Sequence, residues 1–216
     1  DIGDGVACLE FHSKMNAVDT DSLAMVKEAS RLDKKGFKAL VIGNDSNHFS
    51  AGANIGMALF AANLAMWPLL EQTFKEGQSS YTALKYSPIP VVVAPAGMAL
   101  GGGCEVCLHA DFVNAHSELY MGLVEVGVGI VPGWGGVKEM VFRHLKNKKR
   151  PGGPMPALME AFQTIGLAKV STSAEEAKDL LFLGNNNSIT MNRKRLLPDA
   201  KKQALLLSEN YTPPSK

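Results

Sequence analysis

Apolar and polar positions fall in blocks along this chain, and the blocks change period. GVACLEF (Gly5 to Phe11) is a short apolar run of strand character. From Asp19 to Lys35, the residues Leu23, Met25, Val26, Ala29 and Leu32 recur at helical spacing behind capping residues. That predicts one helix with a buried face, closed by Gly36. FKALVIG (Phe37 to Gly43) predicts a buried strand. Gly56 to Leu70 is almost wholly apolar but carries Asn63 and Pro68; it is too short for a membrane span and reads as a pair of helices. The second of these runs to about Tyr86, stopped by Pro88 and Pro90. IPVVVAP (Ile89 to Pro95) predicts a third buried strand, then glycines, a helix over Cys104 to His109 and a short strand, DFVNA. Leu119 to Gly136 reads as strand and loop, and Gly136 to His144 as helix. Helices follow over Pro156 to Val170, over Ser171 to Gly184 with a capping box at Ser173 and Glu176, and over Pro198 to Glu209. Strands alternating with helices define an α/β class. No repeat period stands out.

Length and composition narrow this picture. The 216 residues suit one domain with elaborations. The expected layout is a core over 1–145, a basic Pro/Gly-rich exposed and mobile insertion loop over 146–156 (KNKKRPGGPMP), and a helical region of the same domain over 157–216. A net charge of +1 gives no reason to expect a nucleic acid partner. Three cysteines, an odd number, argue against a disulfide framework and suit a reducing cytoplasm. Cys104 and Cys107 form a CxxC beside His109, but a structural zinc needs four ligands and there is no second pair, so no metal site is expected.

The candidate chemistry lies in two glycine-rich turns, SAGAN (Ser50 to Asn54) and ALGGGCE (Ala99 to Glu105), each placed after an apolar strand and before a helix. A helix start has amide N–H groups without partners and favours negative charge. A backbone without side chains lets a ligand oxygen reach those groups. Two such turns facing each other would make an oxyanion hole. The alternative is that the glycines only let a helix pack closely on a sheet. Neither a phosphate-loop motif nor a dinucleotide GxGxxG is present. Two carboxylates accompany the turns. Glu105 follows the glycines directly, where a first-turn glutamate could simply answer the helix dipole. Glu125 lies in GLVEVGVG, where apolar neighbours raise a carboxyl pKa and suit it to proton transfer.

HFSAGANIG, PAGMALGGGCEVCLHADF and YMGLVEVGVGIVPGWGG together resemble the enoyl-CoA hydratase/isomerase (crotonase) superfamily over roughly residues 5 to 145. The remainder is similar to the hydratase portion of bacterial multifunctional 3-hydroxyacyl-CoA dehydrogenase/enoyl-CoA hydratases of fatty-acid β-oxidation. The start near a strand and the ending YTPPSK fit an excised segment of such a chain. The resemblance implies a spiral of ββα units with C-terminal helices, assembled as trimers or docked on a dehydrogenase domain of the parent chain. It implies Ala53 and Gly102 N–H as the oxyanion hole for an acyl-CoA thioester, and Glu105 and Glu125 as the acid/base pair for hydration. CoA is then part of the substrate, and no separate cofactor is implied.

Substrate binding is assigned by the same resemblance to Lys14 near the nucleotide, to Ala51, Asn54, Ile55 and Gly101 at the turns, and to Pro132 and Gly133 in the loop. Leu59, Phe60 and Trp67, with Leu64 and Met66, are expected to line an acyl pocket for a medium or long chain, unless they form a core helix or subunit contact. Two positions depart from the family: Asn54 stands where aspartate is usual, and Val124 where proline often precedes the second glutamate. Isomerisation through Glu125 alone and a non-catalytic assembly module are the alternative functions.

Overall fold

The computed structural model describes residues 1–149 and 152–215. Strand β1 (Val6–Leu9) leads through helix α1 (Thr20–Ala29) to β2 (Ala39–Gly43), which pairs with it in parallel. Asp19 starts α1 by accepting a hydrogen bond from the Ser22 amide, and the helix buries Leu23, Val26 and Ala29. The single helix expected to Lys35 breaks at Ser30, and a separate 3-10 turn spans Leu32–Lys35. Met25, expected on the buried face, points to solvent instead.

Next come α2 (Ile55–Asn63) and α3 (Trp67–Lys85), separated by Ala65 in a left-handed conformation and with Pro68 in the first turn of α3. The chain continues through β3 (Val91–Ala94), β4 (Gly97–Leu100), α4 (Gly102–Leu108), β5 (Phe112–His116) and β6 (Leu119–Gly122). It ends with α5 (Gly136–Lys146), α6 (Pro154–Gly166), α7 (Ala174–Asp179), β7 (Ser188–Thr190) and α8 (Leu196–Ser208).

Five strands form one parallel sheet in the order β1-β2-β3-β5-β7, while β4 and β6 pair in a second, small parallel sheet. Every residue of β2 and β3 is buried, because both faces of the large sheet are covered. Leu196, Ala200 and Ala204 of α8 cover one face, against Val41, Val92 and Phe112. Leu23, Tyr81 and Leu84 belong to the core on the other, with Leu40, Ile42 and Val93. This double coverage explains why the strands read as unbroken apolar runs.

The chain winds as a coil. Each turn takes a strand in the large sheet, a short extended piece in the small one, and then a helix. Ser50 bridges Ala99, and Ala99 pairs with Met121, so three successive turns lie side by side there. Their continuations reach Ala53, Gly102 and Glu125 on neighbouring turns. The short strand β4 was not separable in the sequence from the apolar run before it; the extended chain leaves the large sheet after Ala94 and enters the small one at Gly97. The loop expected over 146–156 is shorter than its composition suggested. Lys146 closes α5 and Pro154 opens α6, a position where proline's fixed φ suits a helix start. Arg150 and Pro151 of that loop lie outside the described residues. No described helix is long and apolar enough to cross a membrane.

Candidate active site

The glycines of both turns are explained by close approach. A Cβ on Gly52 (φ +98°) would lie 2.8 Å from the Leu100 carbonyl oxygen, and one on Gly103 would lie 2.7 Å from Ser50 Cβ. These two let one turn of the coil pack on the next. A Cβ on Gly102 would come within 2.6 Å of the Trp134 indole and 3.5 Å of the Ala53 nitrogen. The close-packing reading therefore holds for Gly52 and Gly103, while Gly102 also keeps open the space between two amides.

Those amides have no competing acceptor among the described residues. Among the described residues, Ala53 N–H donates to none, although its neighbour Asn54 donates to the Val18 carbonyl at 3.0 Å. Gly102 is the first residue of α4, where the helix offers its own amide no acceptor. Tyr81, fully buried, donates its hydroxyl to the Gly102 carbonyl at 2.9 Å and fixes that peptide. Gly101, with φ +51° and ψ −122°, makes the sharp entry into α4.

Glu105 is 1% exposed on α4. Its Oε1 accepts two backbone hydrogen bonds, from Trp134 N at 2.9 Å and Gly136 N at 2.8 Å. Burial still dominates and raises its pKa to about 8; the two N–H groups oppose the rise and the Glu125 charge adds to it. Glu125 opens a 3-10 turn (Glu125–Val128) directly after Val124. Its Oε1 would stand 3.2 Å from a Cβ on Gly101, and its Oε2 is buried without a hydrogen-bond partner among the described residues. Burial raises its pKa as well. A carboxyl fixed by the 134–136 backbone and an unpartnered one beside Gly101 thus lie near enough for the charge of Glu125 to act on Glu105.

A cavity of about 170 Å3 opens beside Ala53. Its buried wall is Val18, Leu23, Ala61 and Trp134, and its rim is the more exposed Ile55, Met57, Leu69, Phe74 and Ile130. Ile55, Ala58 and Ala61, three residues apart on α2, turn toward it. Leu59, Phe60 and Trp67 do not line it; they are 65%, 60% and 61% exposed, and Leu64 and Met66 also face outward. That is a correction to the expected pocket lining. Helix α2 is apolar all round, so its sequence carried no period from which the inward face could be chosen.

The other candidate residues divide similarly. Lys14 is exposed on a 3-10 turn tied to the first glycine turn, where Ala51 N–H donates to Met15 O at 3.1 Å. That bond spends the Ala51 amide. Asn54 is exposed and caps α2 without a side-chain hydrogen bond. Pro132 is buried, and Gly133 rests on Phe74 with its carbonyl accepting from Gln78 at 2.8 Å. Cys104 and Cys107 are free and buried in the core, and the described residues contain no cluster of three metal-ligating side chains. Tyr81 and Trp134 were missed; the only signal for Trp134 was one large aromatic among glycines in PGWGG.

The raised Glu105 pKa has a consequence for stability. Its folded value lies above the ordinary carboxyl value of 4.5, so the stabilisation is complete below about pH 4.5 and is lost as pH rises through about 8. Glu105→Gln is expected to flatten that decline, by a few kcal/mol as an order of magnitude. Urea unfolding of both proteins at pH 5.5 and 8.5 checks it; an equal decline in the two would refute it.

Comparison with known proteins shows what the chain is similar to. The family model described as "Enoyl-CoA hydratase/isomerase" matches residues 1–150. A Bacillus subtilis protein named "Probable 3-hydroxyacyl-CoA dehydrogenase" is 44% identical over all of this chain, which spans 27% of that protein's length. The crotonyl-CoA hydratase of Syntrophomonas wolfei is 36% identical over 58% of the chain and 48% of its own length. In fold, an enoyl-CoA hydratase structure from Polaromonas superposes with a TM-score of 0.77 at 20% identity, over 95% of this chain and 75% of the other.

Proposed function

This chain belongs to the enoyl-CoA hydratase/isomerase family, and on that premise we propose that it adds water reversibly across the 2,3 double bond of a 2-trans-enoyl-CoA. The observation that carries the reading is that two carboxyls, Glu105 held by amides and Glu125 with an unpartnered oxygen beside Gly101, accompany two glycine turns that each offer an uncommitted N–H, Ala53 and Gly102. An acid, a base and an oxyanion site are what hydration of a conjugated thioester requires.

In this mechanism the thioester oxygen accepts hydrogen bonds from Ala53 and Gly102. Glu105, ionised, takes a proton from water as its oxygen bonds to C3. The π electrons move toward the carbonyl, and the enolate oxygen is held by the two amides, which are aimed before the charge develops. Glu125, whose pKa burial raises, then gives its proton to C2. Dehydration reverses each step. The reaction uses the CoA that the substrate carries and no other cofactor. We further assign it to fatty-acid β-oxidation in the cytoplasm, within an oligomer or beside a dehydrogenase domain; the dehydrogenase neighbour is supported by the Bacillus relative, which is named a dehydrogenase and is much longer than this chain.

The acyl chain fits the cavity beside Ala53, with a medium or long tail leaving over the exposed apolar rim. Hydration of crotonyl-CoA and of a ten-carbon 2-enoyl-CoA, followed by loss of the conjugated thioester absorbance, tests the reading. Both should react, and the hydration rate should climb with pH toward an apparent pKa near 8, as Glu105 gives up its proton and becomes the base. Turnover of neither, with isomerisation of a 3-enoyl-CoA instead, would replace hydration by proton transfer through Glu125. Turnover of the four-carbon substrate alone would overturn the long-chain assignment.

A further inference from the structure

The cavity has one rigid wall. Trp134 is 6% exposed and held on three sides. A Cβ on Gly77 of α3 would lie 2.1 Å from its Nε1, a Cβ on Gly102 would lie 2.6 Å from its Cζ3, and the Tyr81 ring meets it edge-on at 5.4 Å. Only glycine at 77 and at 102 admits an indole there. Its Nε1 is buried without a partner among the described residues. A buried indole N–H normally finds an acceptor, so the ring is retained despite a polar cost.

The position of that ring decides what it can do. Its six-membered edge and the Ala53 amide flank the same point beside Gly102. Trp134 therefore stands at the thioester end of the cavity, next to the reacting carbons, and not at the far end of the acyl chain. The rest of the cavity includes a rim of Ile55, Met57, Leu69 and Phe74, which are 40% to 62% exposed. A tail can lengthen over that rim. A branch on C2 or C3 meets a flat ring that has no room to rotate.

We propose that Trp134 is a specificity-determining residue that selects straight-chain over α- or β-branched acyl thioesters while leaving chain length free. The inference rests on the acyl-CoA reading of the site. Its side chain acts separately from its backbone N–H, which holds Glu105 and is kept in Trp134→Leu and Trp134→Phe.

The test uses binding, so that it does not depend on turnover. Butyryl-CoA and isobutyryl-CoA are titrated into the wild-type protein, Trp134→Leu and Trp134→Phe. The wild type should bind the straight thioester at least about tenfold more tightly, the discrimination one methyl group commands in an apolar pocket. Trp134→Leu should bring the two within about threefold. Trp134→Phe keeps most of the ring and should keep most of the preference. Equal wild-type affinities would overturn the wall, and so would an unchanged ratio in Trp134→Leu. The first of these needs no variant to fold. Binding of neither thioester would instead remove the acyl-CoA reading, and the wall with it.

Discussion

Glu125→Gln is expected to lower kcat for crotonyl-CoA hydration by about 1000-fold, within the range by which a positioned acid or base accelerates proton transfer. The amide is nearly the same size as the carboxyl but has no proton to give C2 and cannot remove one in reverse. Little else should change. Burial raises the Glu125 pKa, which lessens the electrostatic cost of a neutral amide there, and Oε2 gives up no hydrogen bond within the described residues. KM should therefore move far less than kcat, the pattern of an interaction made mainly in the transition state. Glu105→Gln should cost a comparable factor and also remove the rise of rate toward pH 8. Steady-state kinetics of both variants decide it. A Glu125→Gln enzyme within tenfold of wild type would remove Glu125 from the chemistry.

Both candidate glutamates could be singled out in the sequence, although for Glu105 the helix dipole offered an ordinary explanation as well. Glu125 was an acid among valines and glycines, and Glu105 followed a run of glycines at a helix start. The α/β class was legible too, since strands covered on both faces read as apolar runs such as ALVIG and VVVA. What stayed hidden was whatever depended on direction. Helix α2 is apolar all round, so Leu59 and Phe60 could not be told from Ala58 and Ala61 by composition, and the small alanines turned out to face the cavity. The coil shows no sequence period, because what repeats is the path of the backbone, with different side chains at Ser50, Ala99 and Met121. Trp134 illustrates a third limit. Its partners Gly77 and Gly102 lie far from it in sequence, and a glycine inside a helix such as α3 shows no reason for itself until the ring it admits is seen.

Gly102→Ala should damage both packing and catalysis, and its damage should divide into two separable parts. The new Cβ would lie 2.6 Å from the Trp134 ring, too close for either to remain in place. Overpacking of this kind costs about 1–3 kcal/mol of stability. The same methyl would stand 3.5 Å from the Ala53 nitrogen, in the space the thioester oxygen must enter, and it would push the Gly102 amide off its line. Misplacement of a donor by a fraction of an ångström, with crowding of its partner, is expected to cost about 100-fold or more in kcat/KM. Trp134→Ala separates the two. Without the indole the stability cost of Gly102→Ala should fall toward zero, giving a coupling energy of about 1–3 kcal/mol in the double-mutant cycle. The loss in kcat/KM should persist, because the methyl still occupies the oxyanion site. Urea unfolding and kinetics of the four proteins measure both parts. If activity returns together with stability, then Gly102 is there only to admit the tryptophan, and the oxyanion must be held elsewhere.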